Sequence, residues 1–306
     1  MKAPKIYIIF AYILNSMILI ADSGSTKCSW ALCNKKGEII LDFNTTGFNP
    51  YFIDADSIYK ELNESILKEY SLKISAIFFY GAGCSSKEKN EVIKTSLAKF
   101  FKNAKIIINN DVAAACYSVY DNNPNITCIL GTGSNSCYFD GKYILENAPS
   151  LGFLVGDEGS GNYFGKKILS LYFNNALPPD LMRKFELSHE TNWTIVRQNI
   201  YSENRVNVFL SQYFPFISQN KDHPIIKDLI YTGLNEFFNL HIVCYKDYQK
   251  VAVNFIGSVA YYLSDEIYFI AKKNGFMVGE IIMNPLKNLV DFHFKNFTKI
   301  KSNLHF

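Results

Sequence analysis

The sequence predicts an α/β protein of two lobes, each built on a mixed β-sheet covered by helices. Three observations carry that expectation: an order of elements that recurs about a hundred residues further on, helices alternating with strands between the two copies, and a length of 306 residues, enough for two separate cores.

The first copy opens with the apolar run Met17 to Ala21, which enters the small loop Asp22-Ser23-Gly24-Ser25-Thr26-Lys27. A strand from Cys28 to Cys33 follows, with Trp30 and Leu32 on one face, then the turn Asn34-Lys35-Lys36-Gly37 and a strand from Glu38 to Phe43. In the second copy, strand Ile126 to Leu130 enters the loop Gly131-Thr132-Gly133-Ser134-Asn135. Strand Ser136 to Phe139, the turn Asp140-Gly141 and a strand from Lys142 to Glu146 complete it. Between the copies the period changes: helix Ala55 to Lys68, strand Ile74 to Tyr80, helix Lys87 to Phe101, strand Ala104 to Asn109 and helix Val112 to Tyr120. The second copy carries a helical insertion from about 159 to 248. It resumes with strand Val251 to Ile256, helix Ser258 to Lys273, strand Gly275 to Met283 and a last helix near Pro285 to Phe297. The expected organisation is an extension at 1–16 outside the fold, a first lobe at 17–118 and a second at 119–306, with hinges near 116–125 and 281–287.

Composition narrows the function. With 48% hydrophobic and 19% charged residues the chain reads as a soluble globular protein, and a net charge of +3 gives no basic face for nucleic acid. No run from residue 17 onward approaches the roughly 20 apolar residues of a membrane helix. Seven scattered cysteines without a CxxC pair point to reduced thiols in the cytoplasm. Lys2 and Lys5 ahead of Ile6 to Leu14 have the shape of a short secretory signal, but no A-x-A-like site lies between Leu14 and Met17, which favours an extension upstream of the fold.

The residues that carry chemistry gather at strand ends. Glycine in the loop Asp22 to Lys27 lets backbone N–H groups converge on an anion, the Ser25 and Thr26 hydroxyls add donors, and Asp22 suits hydrated magnesium. Gly131-Thr132-Gly133-Ser134 repeats that chemistry, so two such loops, one per lobe, can hold the β- and γ-phosphates of a nucleotide from opposite sides. Asp111 follows a strand and opens a helix of small residues. It reads as a helix N-cap, as a general base at the carboxyl end of a central strand, or as both. The segment Gly152 to Gly161 concentrates glycines and acids. Asp157 and Glu158 read there either as acids that open a helix or, favoured by the glycines around them, as acceptors for sugar hydroxyls. Gly257-Ser258 is a strand-to-helix turn able to seat a ring or a phosphate, or simply a tight packing corner. Asn49, in the loop Thr46 to Pro50, and Gly83, in Gly81-Ala82-Gly83, allow a ligand contact or an ordinary turn. The five histidines form no ligand cluster, so no metal beyond magnesium is indicated.

Taken in order, MILIADSGSTK, TTGFNP, FYGAGC, NNDVAAA, ILGTGSNS, LGFLVGDEGSG and FIGSVA resemble the N-acetylglucosamine kinases and the wider BadF/BadG/BcrA/BcrD-type ATPases, from Met17 to Ala260. The resemblance implies a two-lobed actin-like, ribonuclease H-like ATPase fold, a duplicated βββαβαβα sheet with a helical insertion in the second lobe, ATP with Mg2+, and phosphorylation of an amino sugar on its 6-hydroxyl. It implies Asp111 as catalytic base, Asp22 at the magnesium, and Gly24, Ser25, Thr26, Gly131, Thr132 and Gly133 as phosphate-loop positions, with Lys27 and Ser134 alongside. Gly257 and Ser258 fall on the adenosine side, and Asn135, Gly152, Phe153 and Asp157 on the sugar side, joined more loosely by Asn49 and Gly83. Phe153 stands where some relatives carry tryptophan, and the extension is not part of the family pattern. A homodimer is compatible by analogy. Two other functions fit the same superfamily. A reductase activator would need cysteines at a shared edge, whereas these lie mostly within apolar strands. A non-catalytic sugar sensor would have no need of Asp22, Asp111 and Asp157 together.

Overall fold

In the first sheet a buried strand lies at the centre, as its uninterrupted apolar sequence requires. The computed structural model describes residues 17–202 and 205–303, and the extension at 1–16, with its signal-like run, lies outside them. β1 (Met17–Ser23) pairs antiparallel with β2 (Lys27–Cys33), which pairs antiparallel with β3 (Ile39–Thr46). On its other side β1 runs parallel to β4 (Ile74–Gly81), and β4 parallel to β5 (Lys105–Asn110). The order β3-β2-β1-β4-β5 is thus mixed. Hairpins supply the antiparallel edge, while α1 (Ala55–Glu64) and α2 (Lys87–Phe100) return the chain for the parallel strands. The core on the helical face is built around Trp30, Phe48, Phe79, Ile58, Leu62 and Leu97, all fully buried.

The second sheet has the order β10-β9-β6-β7-β8, formed by β6 (Asn125–Leu130), β7 (Ser134–Phe139), β8 (Ile144–Leu145), β9 (Ala252–Ile256) and β10 (Met277–Ile282). β6, β9 and β10 run parallel. Between β8 and β9 lie the short α4 (Gly152–Val155) and the helices α5 (Gly161–Phe173), α6 (Pro179–Ser188), α7 (Trp193–Ser202), α8 (Val206–Ser211), α9 (Phe214–Gln219) and α10 (Pro224–His241). Phe164, Phe185, Phe214 and Phe237 of these helices, with Tyr213 between α8 and α9, enter one core with the strands. After β9 come α11 (Ser258–Tyr262) and α12 (Ser264–Asn274), and α13 (Leu286–Asn303) closes the chain.

Contacts divide the described chain into two units, one of 17–124, 139–145 and 284–303, the other of 125–138 and 146–283. α13 packs on α3 (Asp111–Ser118), β1 and β2 in the first unit, where His293 meets the Tyr80 hydroxyl at 2.9 Å and the Phe78 ring at 4.3 Å.

Several boundaries differ from the periodicity. The helix expected from Ala55 to Lys68 stops at Glu64, because Ser65 is extended and its hydroxyl caps a separate turn, Ile66–Tyr70. The strand expected from Lys142 to Glu146 shrinks to two residues, since Asp140 turns the chain by accepting from the Lys142 and Tyr143 N–H groups. One helix over Ser258 to Lys273 is instead two, broken at Leu263.

Candidate active site

The three parallel strands of the first sheet end together: Ser23 stands beside Gly81, and Gly81 beside Asn110. Loops leaving the carboxyl ends of adjacent parallel strands are where α/β proteins hold ligands. Three chemistry-bearing segments meet at this edge.

The first is the hairpin Gly24 to Lys27, closed by Gly24 N–H donating to the Lys27 carbonyl at 2.9 Å. It rests on the loop after β3. Gly47 N–H donates to the Thr26 carbonyl at 3.1 Å, and a Cβ at Gly47 would overlap the Gly24 carbonyl oxygen, so only glycine admits that approach. The buried Ser23 hydroxyl accepts from Phe48 N–H at 2.9 Å, and Asn49 Nδ2 donates to Ser25 Oγ at 2.9 Å. The second segment is the turn after β4, in which Ala82 N–H donates to the Ser23 carbonyl at 2.7 Å and Gly83 lies against the Asn49 amide. Asn49, Ser25 and Gly83 therefore form one cluster.

Asp111 belongs to the third segment. The alternative in which it caps α3 is corrected: Asn110 is the N-cap, its side chain accepting from Ala113 N–H at 3.0 Å, and Asp111 is the first helical residue. Its Oδ1 accepts from Val112 N–H at 3.0 Å. Asn110 supplies the cap oxygen for the helix, a job that would otherwise fall to Asp111. Asp22, on β1 with β4 between it and β5, feels that carboxylate. Burial first and Asp111 second push its acid up to about 7, against the pull of Lys27. Two carboxylates in mutual electrostatic reach in a poorly hydrated setting disfavour a second negative charge.

In the second unit the turn Gly131-Thr132-Gly133 joins β6 to β7, with Gly131 N–H donating to the Gly133 carbonyl at 3.0 Å. The start of α5 binds it from behind: Gly161 N–H donates to the Gly131 carbonyl at 2.8 Å and Asn162 N–H to the Thr132 carbonyl at 3.0 Å. Beside it, Gly257 has φ +119, and a side chain there would press on the carbonyl group of Leu130. The turn Gly257-Ser258 and the Gly131 loop are thus neighbours within one unit.

The expectation that Asp157 and Glu158 open a helix is corrected. α5 begins at Gly161 with Ser160 as N-cap, its hydroxyl accepting from Tyr163 N–H at 3.3 Å. Asp157 lies ahead of it in a turn with φ +59, nearly buried, its Oδ1 accepting from Ser134 N–H at 3.2 Å and its Oδ2 from Asn162 Nδ2 at 2.7 Å. Burial raises its acid despite these two donors. Asn135 turns its own side chain back, accepting from Ser136 N–H at 2.8 Å. Gly152 has open space where a side chain would stand, and the carbonyl of Phe153 accepts from Lys166 Nζ. Sequence reasoning overlooked Asn110, Gly47 and Asn162. The first was hidden among three adjacent cap-forming residues, and the other two act through contacts with no fixed spacing.

Among the described residues no group of three or more His, Cys, Asp or Glu side chains stands ready to hold a metal, and no helix is long and apolar enough to cross a membrane. No disulfide joins the seven cysteines, six of which are buried.

No family profile matches the chain, and no curated protein does. Solved structures do. The chain is similar to a candidate N-acetylglucosamine kinase from Porphyromonas gingivalis, at 32% identity and a TM-score of 0.85, over 92% of this chain and 99% of that one. A second candidate N-acetylglucosamine kinase, from Chromobacterium violaceum, matches at 14% identity and a TM-score of 0.66 over 91% and 99% of the two chains. A ROK family glucokinase from Streptomyces griseus, solved with glucose and AMPPNP, shares the fold at 12% identity and a TM-score of 0.51 over 90% and 98%.

Proposed function

Since this chain belongs to the N-acetylglucosamine kinase family, a family of two-lobed, actin-like sugar kinases, we propose that it transfers the γ-phosphate of ATP to the 6-hydroxyl of N-acetylglucosamine or a close amino-sugar relative. The observation that carries this reading is the strand-end cluster of the first unit, where Asp111 and Asp22 interact beside a hairpin of glycine, serine and threonine.

In this reading Asp111 is the catalytic base. Its place at the first turn of α3 favours the ionised carboxylate, which accepts the proton of the sugar hydroxyl as that oxygen bonds to the γ-phosphorus and the bond to the ADP oxygen breaks. Gly24, Ser25, Thr26 and Lys27, like Gly131, Thr132, Gly133 and Ser134, supply N–H, hydroxyl and ammonium donors for phosphates. Gly257 and Ser258 serve the adenosine side. Asn49, Gly83, Asn135, Gly152, Phe153 and Asp157 serve the sugar, Asp157 using two of the roughly four acceptor directions of a carboxylate on its own unit.

Asp22 fits magnesium, being a hard oxygen donor whose ionised form is disfavoured by Asp111 and would be stabilised by a cation. Lone carboxylates suit a cation that arrives with phosphates and keeps several waters. Bound there, magnesium would offset phosphate charge.

The test is ADP release over a panel of amino sugars. N-acetylglucosamine is expected to give the highest kcat/KM, and Asp111→Asn to lower kcat by about 10²–10⁴-fold with ATP affinity kept. ADP release that no sugar stimulates would defeat the proposal, and an Asp111→Asn variant with near wild-type kcat would remove Asp111 as the base.

A further inference from the structure

Asp157 is buried and holds a left-handed backbone conformation with φ +59, a region that non-glycine residues seldom adopt. The next two residues show what enforces it. Glu158 Oε2 accepts from Nε2 of His241, at the end of α10, at 3.3 Å, with both side chains largely buried. His241 is itself held by a ring stack on Phe237, centroids 4.8 Å apart. At Gly159, φ is +67, and an added Cβ would stand 3.1 Å from the Gly233 carbonyl oxygen and 3.2 Å from Phe237 Cβ. Gly233, Phe237 and His241 are spaced four apart and so form one stripe along α10. The turn Asp157-Glu158-Gly159 is pressed against that stripe on one side, while its first carboxylate fastens Ser134 N–H and Asn162 Nδ2 on the other.

We propose that Glu158 and His241 are positioning residues for the Gly131 to Ser134 loop: their contact locks the 157–159 turn, and the turn sets the loop through Asp157. The inference rests on reading that loop as a phosphate-binding element. It deepens that reading by making the last helix of the insertion part of nucleotide affinity, although no residue of α10 belongs to the loop. Loss of the contact frees the turn to leave its left-handed conformation, and Ser134 N–H then loses the carboxylate that orients the loop. The effect reaches the nucleotide through the loop, and the sugar only as far as Asp157 itself moves.

The experiment is steady-state kinetics with ATP and the sugar varied separately, on the full chain, for Glu158→Ala, Glu158→Gln, His241→Phe and the double variant Glu158→Ala/His241→Phe. His241→Phe keeps an aromatic ring for the stack and removes the donor. Glu158→Ala and His241→Phe are each expected to raise KM for ATP roughly tenfold, with any rise in KM for the sugar accompanying it through Asp157, and the double variant to match the worse single. Glu158→Gln, which retains an acceptor oxygen, should recover most of the affinity. A rise confined to the sugar KM, additive effects of the two substitutions, or an unchanged ATP KM would each overturn the proposal. Melting temperatures identify a variant that has lost its fold, and for such a variant Glu158→Gln set against wild type decides: an ATP KM raised as far as in His241→Phe overturns the proposal, and recovery supports it. Wild-type protein whose rate does not saturate with ATP would instead sink the phosphate-loop reading itself, a different result from a saturable wild type that Glu158→Ala leaves unmoved.

Discussion

At the scale of single residues, Asp22 sits in an environment at odds with its usual chemistry. Its acid is raised from 3.8 to about 7 by burial and by Asp111. The folded protein therefore binds more protons than the unfolded chain between about pH 4 and 7, so this residue's contribution to stability is full at low pH and is lost as pH rises through 7. Asp22→Asn removes the ionisation. Without ligands, the variant should melt higher than wild type at pH 8, with the gap closing toward pH 5. A gap that does not depend on pH would mean that neither burial nor Asp111 disfavours the Asp22 carboxylate. Asp22 was visible as a candidate in the sequence because an acid opening a glycine-hydroxyl loop can hold a hydrated cation beside phosphates. Its coupling to Asp111 was not, since 89 positions separate them and only the parallel pairing of β1, β4 and β5 joins their strand ends.

At the scale of elements, α3 shows how a cap and a functional group share one turn. Asn109, Asn110 and Asp111 all have side chains that can cap, and the sequence does not rank them. The structure gives the cap to Asn110, whose oxygen meets Ala113 N–H at 3.0 Å. Asn110→Ala should cost about 1 kcal/mol of stability. It should also lower kcat, because the turn that carries Asp111 frays, while Asn110→Asp should restore both. Denaturant unfolding and turnover measured on the same samples check this, and a loss of stability with kcat unchanged would show that Asp111 is held by other contacts. The segment around Asp157 was misread for a related reason. Acids before a helix usually belong to its first turn, but the left-handed turn at Asp157 and the Ser160 cap displace the start of α5 to Gly161.

At the scale of the whole molecule, chain order and spatial grouping diverge at the C-terminus. The last helix follows β10 in sequence and packs on α3, β1 and β2 of the first unit, with His293 buried against Phe78 and Tyr80. Burial depresses His293 from 6.5 to about 3. The unfolded chain takes up this proton at a higher pH than the folded one, so the stability linked to it is complete above about 6.5 and falls as pH drops toward 3, opposite in sign to Asp22. His293→Phe should flatten that acid limb of the melting profile, at a lower plateau because the bond to Tyr80 is gone. An acid limb as steep as that of wild type would assign the loss to other groups.

The order of strands and helices, the doubled loop motif and the identity of the charged and hydroxyl side chains at strand ends are local properties, written as apolar runs, glycines and small polar residues, and the sequence alone carries them. Register, partners and ends are not local. That Asn49 caps Ser25, that Asp157 binds Ser134, that Glu158 meets a histidine 83 positions away and that α13 returns to the first sheet depend on which surfaces meet once strands have paired. A periodicity reports that a face will be buried, and only long-range packing decides against what.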